Sequence, residues 1–420
     1  MTQESEDVVI KVREHGPYKV TGPVTLTDAQ GTPLPLPEDG SLVLCRCGRS
    51  RTKPYCDSSH ARGGGTTCVH AGLPPVREGA PLFPSPVFAA PFHFAGDPPE
   101  SGGEPFYGRY SNPTWSGWER AIGDLEGGEA VAFASGMAAI AAVLLTTLHA
   151  GDVLVLPSDG YYTVRTLAER QLEPRGVELR LVPTDDAAIR EALPGASLLW
   201  IESPSNPSLD VVDIAALAAV AQEAGALVAV DNTLATPLRQ RPLELGADIA
   251  VASATKQLSG HSDVLLGYVA TREPVRLGEL RSWRTETGAI PGPFETWLAH
   301  RSLATLAVRV DRQEATAAEV ARMLAARDDV SGARWPGLGC VIALDLVTAE
   351  RAQAFLAASS LIAEATSFGG VHSTGERRAR WGGDDVSPGL VRLSIGLEDV
   401  RDVVADVAAA LDAATGSAPG

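Results

Sequence analysis

ALVAVDNTLATPLRQRPLELGADIAVASATKQ, residues 226–257, holds two short apolar runs, each leading to a residue capable of chemistry. ALVAV stops at Asp231, and DIAVAS leads to Lys256. Short runs that are apolar throughout, not at alternate positions, fit strands buried on both faces, the state of parallel strands covered by crossover helices. The pattern recurs upstream in DVLVLP (152–157), VELRLVP (177–183) and SLLWIES (197–203), with Ala- and Leu-rich helical stretches such as DIAALAAVAQEAG (213–225) between. The reading is an α/β layered domain. A long amphipathic stretch, AVRVDRQEATAAEVARMLAA, then opens a smaller α+β region after about residue 306.

The chain has 420 residues, 45% hydrophobic and 21% charged, with a formal charge of −17. That surplus of acid argues against nucleic acid or an anionic membrane as a partner. The acidic start, MTQESEDVVIKVREHG, lacks the apolar run of a signal peptide, and the most apolar segment, Ala138 to Leu148, is too short to span a bilayer. Five cysteines make no disulfide framework, so a cytoplasmic, reducing setting is expected. The basic residues divide into 31 Arg and 4 Lys, and Lys256 is the only lysine after residue 53. An arginine-rich composition can replace lysines that only carry charge, but not one needed for amine chemistry, because a guanidinium keeps its proton.

Lys256 falls just beyond the carboxyl end of an expected strand, where open α/β sheets bind their ligands. With the hydroxyls of Ser253 and Thr255 nearby, it suits a Schiff base with pyridoxal phosphate (PLP), although a single TK pair by itself reads better as a surface lysine. Asp231 could keep a pyridine nitrogen protonated or could cap a turn. AFASGMAAI passes from strand to helix through Gly136, which could offer N–H groups to a phosphate or serve only for packing.

Three thiols and an imidazole crowd into CRCGRSRTKPYCDSSH: Cys45, Cys47, Cys56 and His60. From the residues alone this reads as metal binding, and composition favours a structural zinc site. The motif, with Ser50 and Pro54 in place and GPYKVTGPVTLTD upstream, resembles the CDGSH iron–sulfur signature. That resemblance implies a small β-rich domain over residues 1–62 whose Cys45, Cys47, Cys56 and His60 hold a 2Fe–2S cluster. Ser58 stands where that family has Gly.

The segments TCVHAGLPP, YGRYSNPTW, LEGGEAVAFASGMAA, IESPSNPSLDVVDI, SATKQLSGHSDVLLG and VRLSIGLED resemble, in order, the Cys/Met-metabolism PLP enzymes, the family of cystathionine γ-lyase and γ-synthase. TSFGGVHSTGERRARWGGD looks most like its actinobacterial cystathionine γ-lyase branch. The implied fold is the aminotransferase-like fold type I: a linker and N-terminal arm at 63–115, a PLP-binding large domain at 116–306 and a small α+β domain at 307–420. By the same resemblance Lys256 carries the cofactor and moves protons, Asp231 pairs with the pyridine nitrogen, and Tyr161 stacks on the ring and assists catalysis. Gly136, Met137, Ser253 and Thr255 would hold the phosphate. Tyr107 and Arg109 would reach a neighbouring subunit's phosphate, which implies a homodimer at least, and the family usually forms a homotetramer. Arg392 would clamp the substrate α-carboxylate, helped by Ser367 and Asn206.

Three positions depart from the family pattern. Tyr162 stands in a YYT where many members have YGGT, His372 replaces a Glu, and WPGL runs into GCVIALDL without a helical segment between Leu338 and Gly339. His261 and His300 read as structural. The expected activity is that of a PLP-dependent carbon–sulfur lyase of transsulfuration, with cystathionine as the leading small amino-acid substrate and an iron–sulfur module fused in front. A γ-synthase or a γ-lyase of specialised metabolism is the alternative. A redox sensor on a PLP scaffold is less favoured, because the Lys, Asp and Arg set is intact.

Overall fold

A computed structural model describes residues 8–12, 17–28, 30–36, 42–45, 54–56, 62–94, 96, 105–330 and 332–415. The chain divides into two units, Met1–Thr67 with Pro75–Glu78, and Cys68–Pro74 with Gly79–Gly420.

In the first unit, β1 (Val9–Val12), β2 (Tyr18–Thr21) and β3 (Leu42–Leu44) form an antiparallel sheet in that order. Val20 and Leu42 are buried in it. Beyond β3 the ladder continues as a bridge between Leu44 and Tyr55, with Cys45 N donating to Pro54 O at 2.8 Å and Cys56 N to Val43 O at 2.8 Å.

The second unit is built on a seven-stranded sheet of β4 (Glu129–Phe133), β5 (Val153–Pro157), β6 (Glu178–Val182), β7 (Leu198–Glu202), β8 (Leu227–Asp231), β9 (Ile249–Ser253) and β10 (Gly267–Thr271). The order is β4-β10-β9-β8-β7-β5-β6; only β10 runs antiparallel to its neighbours. The strands are apolar throughout because both faces are covered. Leu154, Trp200 and Val251 join a core with the helix Gly136–Thr147, while Val155, Leu199 and Val228 join another with the helix Ile214–Glu223. β10 has no counterpart in the sequence reading, since GYVAT follows the lysine loop directly and no crossover helix announces it.

A five-stranded sheet follows, formed by β11 (Gly332–Arg334), β12 (Val341–Asp345), β13 (Ala363–Glu364), β14 (Thr374–Arg377) and β15 (Leu390–Ser394) in the order β11-β12-β15-β14-β13. The helices Ala349–Ala358 and Val400–Thr415 cover it. The amphipathic helix Leu306–Ala325 serves both layers: Leu306 and Val310 pack under the large sheet, and Ala317, Val320 and Leu324 under the small one. β11 and β12 are joined through residues 335–340, with Gly337 and Gly339 at φ 82° and 70°. No helix among the described residues is long and apolar enough to cross a membrane.

Candidate active site

The carboxyl ends of β4, β7, β8 and β9 bring together residues far apart in sequence, as an open α/β sheet does. Lys256 sits in the turn after β9. Its Nζ donates to Ser367 Oγ at 2.6 Å and lies 4.7 Å from the centre of the Phe368 ring. Burial, then the nearby Arg392 guanidinium, bring the amine down to about 8, against the pull of Glu376 and Asp231. Arg309, buried at 4% exposure, donates to Gln257 O at 2.5 Å and Leu258 O at 3.3 Å, which fixes the turn that carries the lysine. No sequence signal separates Arg309 from the other arginines.

Asp231 ends β8, buried, and burial pushes its carboxyl upward against the hydrogen bonds of Thr233 and the charge of Lys256. Thr233 donates to Asp231 Oδ1 from N at 3.0 Å and from Oγ1 at 2.5 Å, and its Oγ1 accepts from Ser253 N at 2.9 Å. One hydroxyl thus ties the end of β8 to that of β9.

Gly136 opens the helix after β4, with Ser135 as its cap accepting from Ala138 N at 3.1 Å. A Cβ at Gly136 would lie 2.7 Å from Ser253 Cβ, so Gly136 and Ser253 are brought face to face. Met137 packs on the core beneath. The Thr255 hydroxyl instead fastens the chain, donating to Leu266 O at 3.2 Å and accepting from Leu266 N at 3.0 Å.

Arg392 projects from β15 and is 4% exposed. It donates to Asn206 Oδ1 at 2.7 Å, Ser367 O at 3.2 Å and Glu376 Oε2 at 2.7 Å, with its guanidinium 5.0 Å from the Phe368 ring centre. Burial and the second guanidinium at Arg378 bring Arg392 down to about 10. Against burial, Arg392, Trp381 and Arg378 hold Glu376 below its ordinary range. Glu376, Arg378 and Asp384 continue the ion pairs behind Arg392 and were not singled out from sequence. Ser367 reaches its place with φ at 82°, a left-handed backbone that residues with a side chain rarely adopt.

Tyr161 stands at the N-terminus of the helix Tyr162–Leu167, 5.6 Å edge-on to the Tyr162 ring, and its N–H donates to Glu202 Oε2 at 2.8 Å. Glu202, buried beside Asp231, is pushed up to about 8 by burial and by that neighbouring carboxylate. Tyr107 and Arg109 lie apart from this cluster. Tyr107 is exposed, and Arg109 donates to Thr285 O at 2.9 Å with its guanidinium over the Tyr110 and Tyr107 rings. His300 and His261 contact backbone carbonyls, Ala71 O at 3.0 Å and Ser259 O at 2.6 Å.

In the first unit, the ladder places Cys45 and Cys56 as diagonal neighbours on one face, because Cys56 lies opposite Val43, two residues before Cys45. Cys47 and His60 lie outside the described residues.

A lysine amine of lowered pKa at the carboxyl edge of this sheet, with a helix opened by glycine and a buried carboxylate close by, places the chain in the fold type I class of PLP enzymes. Residues 66–412 match the model described as Cys/Met metabolism PLP-dependent enzyme, and the chain belongs to that family; it is a PLP-dependent carbon–sulfur lyase. Residues 15–61 match the model described as iron-binding zinc finger, CDGSH type. A putative cystathionine gamma-lyase of Streptomyces coelicolor is 54% identical over 379 residues, covering 85% of this chain and 96% of that one. The L-methionine gamma-lyase of Pseudomonas putida is 38% identical over 403 residues, covering 85% and 99%. The structure of a cystathionine gamma synthase from Xanthomonas oryzae, in complex with aminoacrylate and cysteine, superposes with a TM-score of 0.79 at 30% identity, covering 85% of this chain and all of that one.

The residues present fit PLP. The contact of Gly136 with Ser253 leaves no room for a Cβ in the cradle. Among the described residues Arg392 Nε, though buried, has no hydrogen-bond partner and remains a donor for a ligand.

Proposed function

We propose that the chain is a γ-lyase acting on cystathionine and releasing cysteine, 2-oxobutyrate and ammonia. The observation that carries this reading is the Lys256 amine held 2.6 Å from Ser367 Oγ, beside the buried Arg392 guanidinium. The 54% identical relative named as a putative cystathionine gamma-lyase supports the choice of substrate.

In this reading Lys256 and Asp231 would hold PLP, which when bound would supply an electron sink. Gly136, Met137, Ser253 and Thr255 line the phosphate end, with Tyr107 and Arg109 of a second subunit completing it. Tyr161 lies against the ring. Arg392 takes the α-carboxylate by paired N–H contacts, with Asn206 and Ser367 fixing its direction. The Lys256 amine, near neutral in pKa, takes the Cα proton and returns protons later, while the Tyr161 phenol protonates the departing γ-thiolate. Cys45, Cys47, Cys56 and His60 would hold a 2Fe–2S cluster, which would supply one-electron chemistry and give that unit a redox or regulatory part. The enzyme works as a cytoplasmic homotetramer.

Incubation of the purified protein with L-cystathionine alone tests the activity. Release of 2-oxobutyrate without an added nucleophile is expected. Product only when cysteine and an activated homoserine are both supplied would favour the synthase, a reading kept alive by the likeness to the Xanthomonas structure.

A further inference from the structure

Glu202 ends β7 at 5% exposure, and nothing in the reaction above uses it. The rest of that strand is Leu198, Leu199, Trp200 and Ile201, so an apolar residue would suit its burial better. Its register partner on β8 is Asp231, and two neighbouring buried carboxyl groups are costly to keep. What the side chain provides is two acceptors pointed at two loops. Oε2 accepts the Tyr161 N–H at 2.8 Å, and Oε1 accepts the Asn206 N–H at 2.7 Å. The helix that begins at Tyr162 has no side-chain cap of its own. Asn206 in turn accepts from Arg392 at 2.7 Å through its side-chain oxygen. The Tyr161 loop is also shaped around this carboxyl, because a Cβ on Gly160 would come within 2.9 Å of Glu202 Oε2.

We propose that Glu202 is a positioning residue that fixes the main chain of Tyr161 and of Asn206 together. It thereby sets the spacing between the wall that faces the cofactor ring and the arginine that receives the substrate carboxylate. This rests on the functional reading above, in which Tyr161 and Arg392 play those parts. Each oxygen has one N–H to satisfy. An amide at this position would turn one acceptor into a donor aimed at another donor, and a methyl would leave both N–H groups buried and unpaired.

The test uses the full-length protein and its Glu202→Gln and Gly160→Ala variants, the second of which keeps the carboxyl but displaces it. Amide hydrogen exchange without cofactor is expected to be about tenfold faster at Tyr161 and Asn206 in both variants, the scale of one lost buried hydrogen bond. PLP titration followed by visible absorbance is expected to show affinity weakened about tenfold, and KM for L-cystathionine should rise more than kcat falls. Global melting should stay within a few degrees of the wild type. Wild-type exchange and wild-type PLP affinity in both variants would overturn the role given to Glu202 and leave the functional reading standing. Failure of the wild-type chain itself to take up PLP would overturn both.

Discussion

The Lys256 amine and the Ser367 hydroxyl meet at 2.6 Å although 111 positions separate them, so the large sheet delivers the lysine and the loop before β14 receives it. The contact holds a long, flexible side chain in one direction, beside the Phe368 ring, where burial and the Arg392 guanidinium outweigh the pull of Glu376 and Asp231. Such a setting favours the neutral amine.

The first prediction follows from that electrostatics. An ordinary lysine holds its proton to about pH 10, whereas Lys256 is brought down to about 8. Capture of added PLP by the cofactor-free protein should therefore accelerate about tenfold per pH unit below 8 and level off above it. Stopped-flow absorbance measures this directly. A rate still climbing in the same way from pH 8 to 10 would show an unperturbed amine. Lys256→Ala should abolish the visible band and the turnover together.

The second prediction concerns the cradle. Ser253 is fixed by the β9–β10 ladder and by Thr233, so the 2.7 Å overlap of a Gly136→Ala methyl with Ser253 Cβ has no easy relief. PLP affinity should fall by at least about tenfold, the scale of an overpacked, displaced site, while Lys256 keeps its lowered pKa. Equilibrium dialysis against PLP checks the first part, and the capture profile above checks the second.

How much of this was legible in the sequence depended on whether a residue acts through its own side-chain chemistry. Lys256 stood out because an arginine-rich chain keeps one lysine across most of its length. The buried strands were legible because being apolar on both faces leaves no alternation to confuse. Glu202, Thr233 and Arg309 were not legible, because they work on amides and carbonyls whose whereabouts only the folded chain decides. β10 escaped for a related reason, since an antiparallel return within one loop carries no period of its own. The ion pairs from Arg392 through Glu376 to Arg378 were hidden among many ordinary charges, and only their burial distinguishes them.

The third prediction uses that chain of charges. Arg392 is held by Asn206 and Glu376 while one buried donor, Nε, has no partner among the described residues. Arg392→Lys keeps a positive charge but loses the planar fork. KM for L-cystathionine should rise roughly tenfold to hundredfold, with a smaller fall in kcat and an unchanged absorbance of bound PLP. Equal losses in kcat and kcat/KM with KM unchanged would instead place Arg392 in the chemistry and not in carboxylate binding.

The fourth prediction concerns a buried acid away from the reacting groups. Glu126, at the end of the helix Pro113–Glu126, receives the Tyr268 hydroxyl at 2.5 Å and is completely buried, and its Oε2 has no partner among the described residues. Burial raises it from 4.5 to about 7, against the hydrogen bonds of Tyr268 and Asn232 and the charge of Arg241. The folded state therefore binds this proton more tightly than the unfolded chain does. Its favourable contribution is fully present below about pH 4.5 and is lost as the pH climbs towards 7, by roughly 3 kcal/mol in all. Glu126→Gln cannot ionise and should lack this component. The variant should melt above the wild type at pH 8, and the gap should close or reverse at pH 5. Calorimetric scans of both proteins at the two pH values decide it, and a difference in melting temperature that does not change with pH would show that Glu126 keeps the same protonation state when folded and unfolded.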